Sequence, residues 1–169
     1  MKKIAVIILN WNGADLLRKF LPSVCAHTNA HIADVIVVDN GSDDNSVEVL
    51  KQEFPQVKTL LFPQNCGFAA GYNKALEMLD YKYAVLLNSD VETTPHWLEP
   101  LLEFTEDNPD VAACQPKIKS LRRREKFEYA GAAGGFIDRY GYPFCRGRDR
   151  KSTRQNSSHS RRSRMPSSA

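Results

Sequence analysis

Short polar clusters follow apolar segments at four places in this chain, and their residue types could bind or transform a ligand. The clusters are Asn10-Trp11-Asn12-Gly13, Asp39-Asn40-Gly41-Ser42, Asn65-Cys66-Gly67 and Asn88-Ser89-Asp90. Each follows a run of apolar residues that predicts a buried strand. Four clusters with the same placement favour one shared site over four unrelated turns.

The last cluster carries a carboxylate suited to a hard cation. Asp90 follows the apolar strand directly, and its oxygens suit Mg²⁺ or Mn²⁺. One or two protein ligands are enough when substrate phosphates complete the coordination shell. The alternative is a turn or a helix cap before "TTPHWL", because aspartate is common in both.

Two residues are candidates for holding a nucleoside. Asp39 ends an apolar strand, where a carboxylate can accept hydrogen bonds from a ribose or a base edge. Trp11 lies in a polar loop, and its ring could stack on a base. A turn role for Asp39 and a ring folded over the sheet edge for Trp11 are the alternatives.

The segment "NCGFAAGYN" predicts a loop that leads into a helix. Gly67 and Gly71 would let the backbone approach a ligand closely, and a helix N-terminus favours phosphate. Asn73 follows two residues after Gly71, at the same junction of loop and helix. The segment is neither a P-loop nor a G-x-G-x-x-G fingerprint. A turn followed by a helix with a tolerated glycine is the alternative.

The elements that must position these clusters alternate along the chain. Strand patterns cover residues 3–9, 34–39, 57–62 and 83–87, with a short further strand over 111–114. Helical patterns cover residues 14–27, 46–54 and 69–80, the last with Ala69, Leu76 and Leu79 inward, and Pro95 is expected to open another helix. Such alternation predicts an α/β fold with a mostly parallel sheet covered by helices on both faces. Ligands bind beyond the carboxyl ends of such strands.

Composition places the body of the chain among soluble globular domains. Its 169 residues suffice for one domain, and its four cysteines form no C-x-x-C pair. Cys25 and Cys114 lie among apolar residues and are expected in the core, which favours a reducing, cytoplasmic compartment. No apolar run approaches the roughly 20 residues of a membrane span.

The end of the chain differs from the rest. Residues 149–169 hold six Lys/Arg and one acidic residue, whereas the whole chain has a net charge of +3. We expect a domain over residues 1–148 and a disordered basic tail over 149–169. The tail could be a nucleic-acid or membrane-binding arm or a solvated segment. We favour a third hypothesis, because "DRKSTRQNSSH" resembles a translated sequencing adapter.

Four motifs together resemble one enzyme family. The segments "VIILNWNG", "VIVVDNGSDD", "NCGFAAGYNKAL" and "AVLLNSDV" resemble, in this order, the inverting family 2 glycosyltransferases of the Rossmann-like GT-A fold. The resemblance covers about residues 4–148 and is closest to the rhamnosyltransferase-like branch, which builds cell-surface polysaccharides. It implies a UDP- or dTDP-sugar donor, Mg²⁺ or Mn²⁺, and a glycan or lipid-linked acceptor. It also implies a cytoplasmic protein at the inner face of the membrane, with no transmembrane segment and no nucleic-acid partner.

The resemblance implies roles for individual residues. Trp11 matches the position beside the base, and Asp39 matches the aspartate that hydrogen-bonds the base or ribose. The metal-binding D-x-D motif corresponds to Asn88-Ser89-Asp90, with Asp90 as its last carboxylate and Asn88 as a neutral, weaker ligand. The second nucleotide-contacting segment is matched by four residues: Asn65, Gly67, Gly71 and Asn73.

One departure from the family pattern concerns catalysis. The family's base is an aspartate in a later acidic motif, which deprotonates the acceptor hydroxyl, and we identify no match for it here. We therefore expect a donor-binding half that is incomplete at its C-terminus and inactive as a fragment. A non-catalytic nucleotide-sugar binding module is the alternative function. A nucleic-acid binder would depend on the tail alone.

Overall fold

The computed structural model describes residues 2–128 and 135–145, so the predicted tail at 149–169 lies outside the described residues. The chain forms two compact units, residues 1–106 and 107–169. The strands of the first unit are β1 Ile4–Asn10, β2 Ala33–Asp39, β3 Lys58–Leu61 and β4 Tyr83–Leu87. The helices are α1 Ala14–His27, α2 Ser46–Glu53, α3 Phe68–Glu77 and α4 Glu99–Asp107.

The four strands form one parallel sheet in the order β3-β2-β1-β4. The predicted α/β class and parallel sheet are confirmed. Along the chain, β2 and β3 lie on one side of β1, and β4 then lies on the other side. The reversal lies between β1 and β4, which is where open sheets of this kind bind ligands.

Helices cover both faces of the sheet because each helix has one apolar face. On one face, Leu17, Leu21 and Val24 of α1 pack with Val49 and Leu50 of α2 against the sheet. On the other face, Tyr72 and Ala75 of α3 belong to a second core that includes inward residues of β1 and β2. Burial of these side chains stabilises the packing of the helices on the sheet and so holds the strand ends in place.

Helix α3 turns a different face inward from the one predicted. Ala69 and Leu76 are exposed, whereas Gly71, Tyr72 and Ala75 are buried. Tyr72 faces the sheet because its hydroxyl donates a 3.0 Å hydrogen bond to the carbonyl oxygen of Leu87. Leu79 packs against the second core, but it lies beyond the end of the helix.

Three further predictions are wrong. Pro95 lies in a turn, and α4 begins at Glu99, since the intervening His96 has a positive φ of 56° that no helix accepts. Residues 111–114 are not a strand, and Cys114 is exposed. Cys25 packs against the first core as predicted, and burial raises the pKa of its thiol.

The second unit contains a short antiparallel hairpin of β5 Gly135–Ile137 and β6 Pro143–Cys145. Asp138 closes its turn by accepting backbone N–H groups of Tyr140 and Tyr142 at 2.8 and 3.0 Å. No helix among residues 2–128 and 135–145 is long and apolar enough to cross a membrane.

Ion pairs gather at the amino ends of the strands, here called the amino edge. The Asp34 carboxylate accepts hydrogen bonds from Lys2, Lys58 and Tyr81 at 2.6, 2.8 and 2.7 Å. Burial alone would raise its pKa, but these three donors outweigh burial and lower the pKa to about 2. The cluster therefore ties β2 to β3 and to the segment before β4.

We expect Asp34→Asn to lower the free energy of unfolding by about 1–2 kcal/mol at pH 7, after allowance for the exposed lysines. Because the folded-state pKa lies below the ordinary value of 3.8, the stabilisation is complete above about pH 4 and is lost as the pH falls through 2. Urea unfolding from pH 7 to pH 2 should show the two proteins converge at low pH. The exposed Asp110→Asn is the matched control, and an equal loss in both variants would contradict the assignment.

Candidate functional site

Three of the four polar clusters are joined by hydrogen bonds at the carboxyl ends of the strands, here called the carboxyl edge. Asp39, only 2% exposed, accepts from Asn10 Nδ2 at 3.0 Å and from Ser42 Oγ at 2.6 Å. Its other oxygen accepts the Ser42 backbone N–H at 3.0 Å. These contacts fit the alternative given above for Asp39, in which its carboxylate stabilises a turn. Among residues 2–128 and 135–145, these contacts occupy three of the roughly four acceptor positions of the carboxylate.

The loop after β1 is fastened to the loop after β2. Asn12, which has a left-handed φ of 50°, donates its backbone N–H to Ser42 Oγ and accepts the Asp43 N–H on its side chain. Asp44 accepts the N–H groups of Ala14 and Ser46 at 3.0 and 2.9 Å. Burial would raise the pKa of Asp44, but these hydrogen bonds outweigh it and lower the pKa. The backbone that presents Trp11 is therefore held from both sides.

Asn40 connects β2 to the third cluster. This side chain is buried, and its amide donates to Asn65 Oδ1 at 3.0 Å and to the Gly67 carbonyl at 3.2 Å. Its carbonyl oxygen accepts the Cys66 N–H at 3.0 Å. Asn65 Oδ1 also accepts the Gly67 N–H at 2.7 Å. Asn65 thus shapes the loop that leads into α3.

Two glycines allow the backbones to come this close. A Cβ on Gly41, whose φ is 74°, would lie 2.5 Å from the carbonyl carbon of Gln64. A Cβ on Gly71 would meet the Leu9 side chain at 3.0 Å and Asn40 Nδ2 at 3.3 Å. Gly71 is therefore a packing position between α3 and β1.

The start of α3 is open toward the carboxyl edge. Gly67 precedes the helix with a φ of 83°, no atom lies within 4 Å of its would-be Cβ, and no side chain caps the helix. The first-turn N–H groups carry the positive end of the helix dipole. Phe68 at the first position is 69% exposed and packs edge-on against Tyr72.

The fourth cluster follows β4 on the far side of the strand reversal. Asn88 and Asp90 are exposed, and no hydrogen bond joins them to the other clusters within the part of the chain that the structure describes. Their position is set by β4, because Leu87 pairs with Ile8 of β1 and accepts the Tyr72 hydroxyl. Trp11 and Asp90 therefore flank the β1–β4 reversal from opposite sides.

Trp11 and Asn73 differ in how the structure places them. Trp11 is 56% exposed, so more than half of its surface is open to a ligand. Asn73 lies on an exposed position of α3, beyond the first helical turn, and it does not join the polar network.

The donor chemistry at the end of β4 fits a hard cation that also binds a ligand. Asn88 offers an amide oxygen and Asp90 a carboxylate, both exposed. No group of three or more His, Cys, Asp or Glu side chains among the described residues could hold a metal ion alone. A divalent ion here would need phosphate oxygens or water for its remaining positions.

A surface cavity of about 410 Å³ lies at the opposite, amino edge of the sheet. Its lining residues are Lys2, Asp34, Lys58, Asp80 and Tyr81. All of them but Asp80 form the ion-pair cluster around Asp34, and none of the five belongs to the four polar clusters. The candidate site is therefore the carboxyl edge.

Sequence reasoning missed three polar residues that hold the site together, of which Asn10 and Asn40 are buried and Ser42 is half-buried. Asn10, Asn40 and Ser42 carry most of its internal hydrogen bonds, yet they had been assigned no individual role. The available signal was a polar residue at the end of an otherwise apolar strand, as at Asn10, which is 1% exposed. Such a residue needs a partner at the same edge.

The fold is an open α/β sheet, and its four polar clusters lie at the carboxyl edge, where sheets of this class bind ligands. Residues 5–163 match the family described as Glycosyl transferase family 2, and the chain belongs to that family. It is 34% identical over 116 residues to the uncharacterized glycosyltransferase YibD of Escherichia coli K12, covering 66% of this chain and 33% of that protein. An N-acetylglucosaminyl-diphospho-decaprenol L-rhamnosyltransferase of Mycobacterium tuberculosis is 24% identical, with 69% and 41% covered.

The fold is GT-A-like, as a solved structure shows. Staphylococcus aureus TarS 1-349, crystallised with UDP-GlcNAc, superposes with a TM-score of 0.57 at 18% identity, covering 70% of this chain and 38% of that one. The chain spans about a third of the length of the curated relatives it matches first.

Proposed function

We propose that this chain is the donor-binding part of a glycosyltransferase that uses a nucleoside-diphosphate sugar. The observation that carries the proposal is the convergence of the four clusters on the carboxyl edge, at the β1–β4 reversal, in a chain of glycosyltransferase family 2. TarS, which has the same fold, was crystallised with UDP-GlcNAc, and this supports a nucleotide sugar as the ligand.

In this proposal the nucleoside lies over the loops after β1 and β2. The exposed Trp11 ring packs near the base. Asp39 uses its free acceptor position for a base or ribose donor, while Asn10 and Ser42 keep its carboxylate oriented. Asn65, Gly67 and the first turn of α3 form the second nucleotide-contacting segment. Gly71 acts through packing. Asn73 belongs to the same segment, but we assign it no contact with the nucleotide.

The diphosphate lies between the start of α3 and the end of β4. The uncapped first turn of α3 offers N–H donors to phosphate oxygens. Asp90 and, more weakly, Asn88 would hold Mg²⁺ or Mn²⁺ against the diphosphate. When bound, the cation neutralises charge on the nucleotide leaving group. Apart from the cation, the N–H groups at the helix start are the donors that orient the diphosphate.

Several finer assignments follow from the family resemblance. The proposal includes transfer with inversion and a glycan or lipid-linked acceptor. It also includes a cytoplasmic location at the inner face of the membrane. Similarity to a rhamnosyltransferase supports a rhamnosyl or hexosyl donor. The catalytic base is unassigned. The adapter origin of residues 149–169 is also part of the proposal, and genomic DNA that runs continuously through their codons would contradict it.

Calorimetric titration with nucleoside diphosphates tests the proposal. We expect UDP or dTDP to bind in the presence of Mn²⁺ and to bind more weakly without it. Hydrolysis of the matching nucleotide sugar would distinguish a catalytically competent chain from a binding module. Absence of binding by UDP, dTDP, GDP and CDP, each with Mn²⁺ and Mg²⁺, would overturn the proposal.

A further inference from the structure

Charge is divided unevenly between the two units. Residues 1–106 hold eight Lys/Arg and 14 Asp/Glu, a net charge of −6, whereas residues 107–169 hold 15 and six, a net charge of +9. The acidic unit carries the candidate donor site. Attraction to an anionic surface must therefore come from the second unit.

The basic loop, residues 117–128, concentrates this charge in an ordered structure. It holds six Lys/Arg and two Glu. An antiparallel bridge pairs Lys119 with Phe127, and the Glu128 N–H donates to the Ile118 carbonyl at 3.2 Å. Two tighter bonds close its tip, from Ser120 N–H to the Lys126 carbonyl and from Lys126 N–H to the Arg123 carbonyl, at 2.9 and 2.8 Å.

Four cations of the basic loop are exposed to solvent. Lys117, Lys119, Arg122 and Arg123 are exposed, and none of them forms an ion pair with another described residue. Lys117 covers the ring of Phe127 at 5.5 Å. The loop thus presents four exposed cations on a stretch of seven residues, and their attraction to an anionic surface will weaken as salt is raised.

Exposed aliphatic side chains accompany these charges. Ile118 and Leu121 are 45% and 41% exposed. The aromatic side chain of the loop, Phe127, is half-buried with Lys117 over its ring, which makes it a poorer stacking platform for a nucleobase than an exposed ring. Cations beside exposed aliphatic groups match a phospholipid surface, where phosphates pair with the charges and the apolar groups enter the interface.

We propose that the basic loop binds the surface of an anionic phospholipid bilayer. The inference rests on the loop alone and does not depend on the chemistry of the donor site. Each Lys or Arg near such a surface strengthens binding roughly fivefold, so removal of three is expected to weaken binding on the order of 100-fold.

The test is sedimentation of the full chain with vesicles of phosphatidylcholine containing 30 mol % phosphatidylserine. The variant K119Q/R122Q/R123Q should lose on the order of 100-fold in vesicle affinity, and R161Q/R162Q/R164Q, which removes three charges from the tail, should lose less than tenfold. L121S should also weaken vesicle binding. Pure phosphatidylcholine vesicles should bind none of the four proteins. All three loop side chains are exposed, so the melting temperatures should agree.

Two results would overturn the proposal. One is a greater loss in the tail variant than in the loop variant, which would assign the binding to residues 149–169. The other is tighter binding to a 20-base-pair DNA duplex than to vesicles in the same salt, lost in the loop variant but unchanged by L121S, which would assign the loop to nucleic acid.

Discussion

Replacing Asp90 with alanine is expected to abolish the cation-dependent part of nucleotide binding. Asp90 is the charged member of the proposed pair of cation ligands at the end of β4, and Asn88 is its neutral member. Loss of an outer-shell partner costs about 10–100-fold in metal affinity, so loss of a direct carboxylate should cost on the order of 100-fold or more. Calorimetric titration of a nucleoside diphosphate with and without Mn²⁺ measures this directly.

A matched control lies at the other end of the same strand. Asp80 is an exposed carboxylate just before β4, at the amino edge, so Asp80→Ala makes the same charge change far from the site. It should leave nucleotide affinity unchanged. Asn88→Asp should tighten cation-dependent binding, because it adds a second carboxylate. Equal affinities in wild type and Asp90→Ala, with Mn²⁺ present, would refute the assignment.

The largest expected effect on stability is that of Gly41→Ala. The new Cβ would lie 2.5–2.7 Å from backbone atoms of Gln64 and Asn65, which cannot move aside as a side chain could. The positive φ of 74° adds a conformational cost of about 1–2 kcal/mol. Together with the steric term, we expect a loss of about 2–5 kcal/mol in the free energy of unfolding. Urea or thermal unfolding measures it.

Gly67→Ala separates the two contributions to that loss. Gly67 has a similar φ of 83°, but no atom lies within 4 Å of its would-be Cβ. This variant should therefore lose only the conformational part, about 1–2 kcal/mol. Similar losses in both variants would show that the close approach of the two loops does not limit stability.

The sequence predicts the frame of the site well. Apolar runs such as residues 35–38 and 83–87 predict strands, and α1 has the predicted limits 14–27. The prediction that residues 83–87 are buried is wrong, because Ala84 and Leu86 of β4 are exposed. Polar residues right after those strands must share one edge, since parallel strands end together. That is why the grouping of Asp39 and Asp90 at one edge is predictable without coordinates.

Side-chain pairing within the site is harder to predict. The Asn40–Asn65 contact joins loops 25 residues apart, and its existence depends on how closely α3 approaches β1 over Gly71. The same close approach explains why the predicted inward face of α3 is wrong. Counting large apolar residues favoured Leu76, but the helix packs through a glycine, an alanine and Tyr72, whose hydroxyl finds the Leu87 carbonyl.

The central claim is that the diphosphate of a nucleotide sugar binds at the carboxyl edge, across the β1–β4 reversal. The most direct measurement is a crystal structure with a nucleoside diphosphate and Mn²⁺, in which anomalous scattering locates the ion. We predict an ion about 2 Å from an Asp90 oxygen, bridged to the diphosphate, with the base beside Trp11. A nucleotide in the amino-edge cavity around Asp34 would contradict the account.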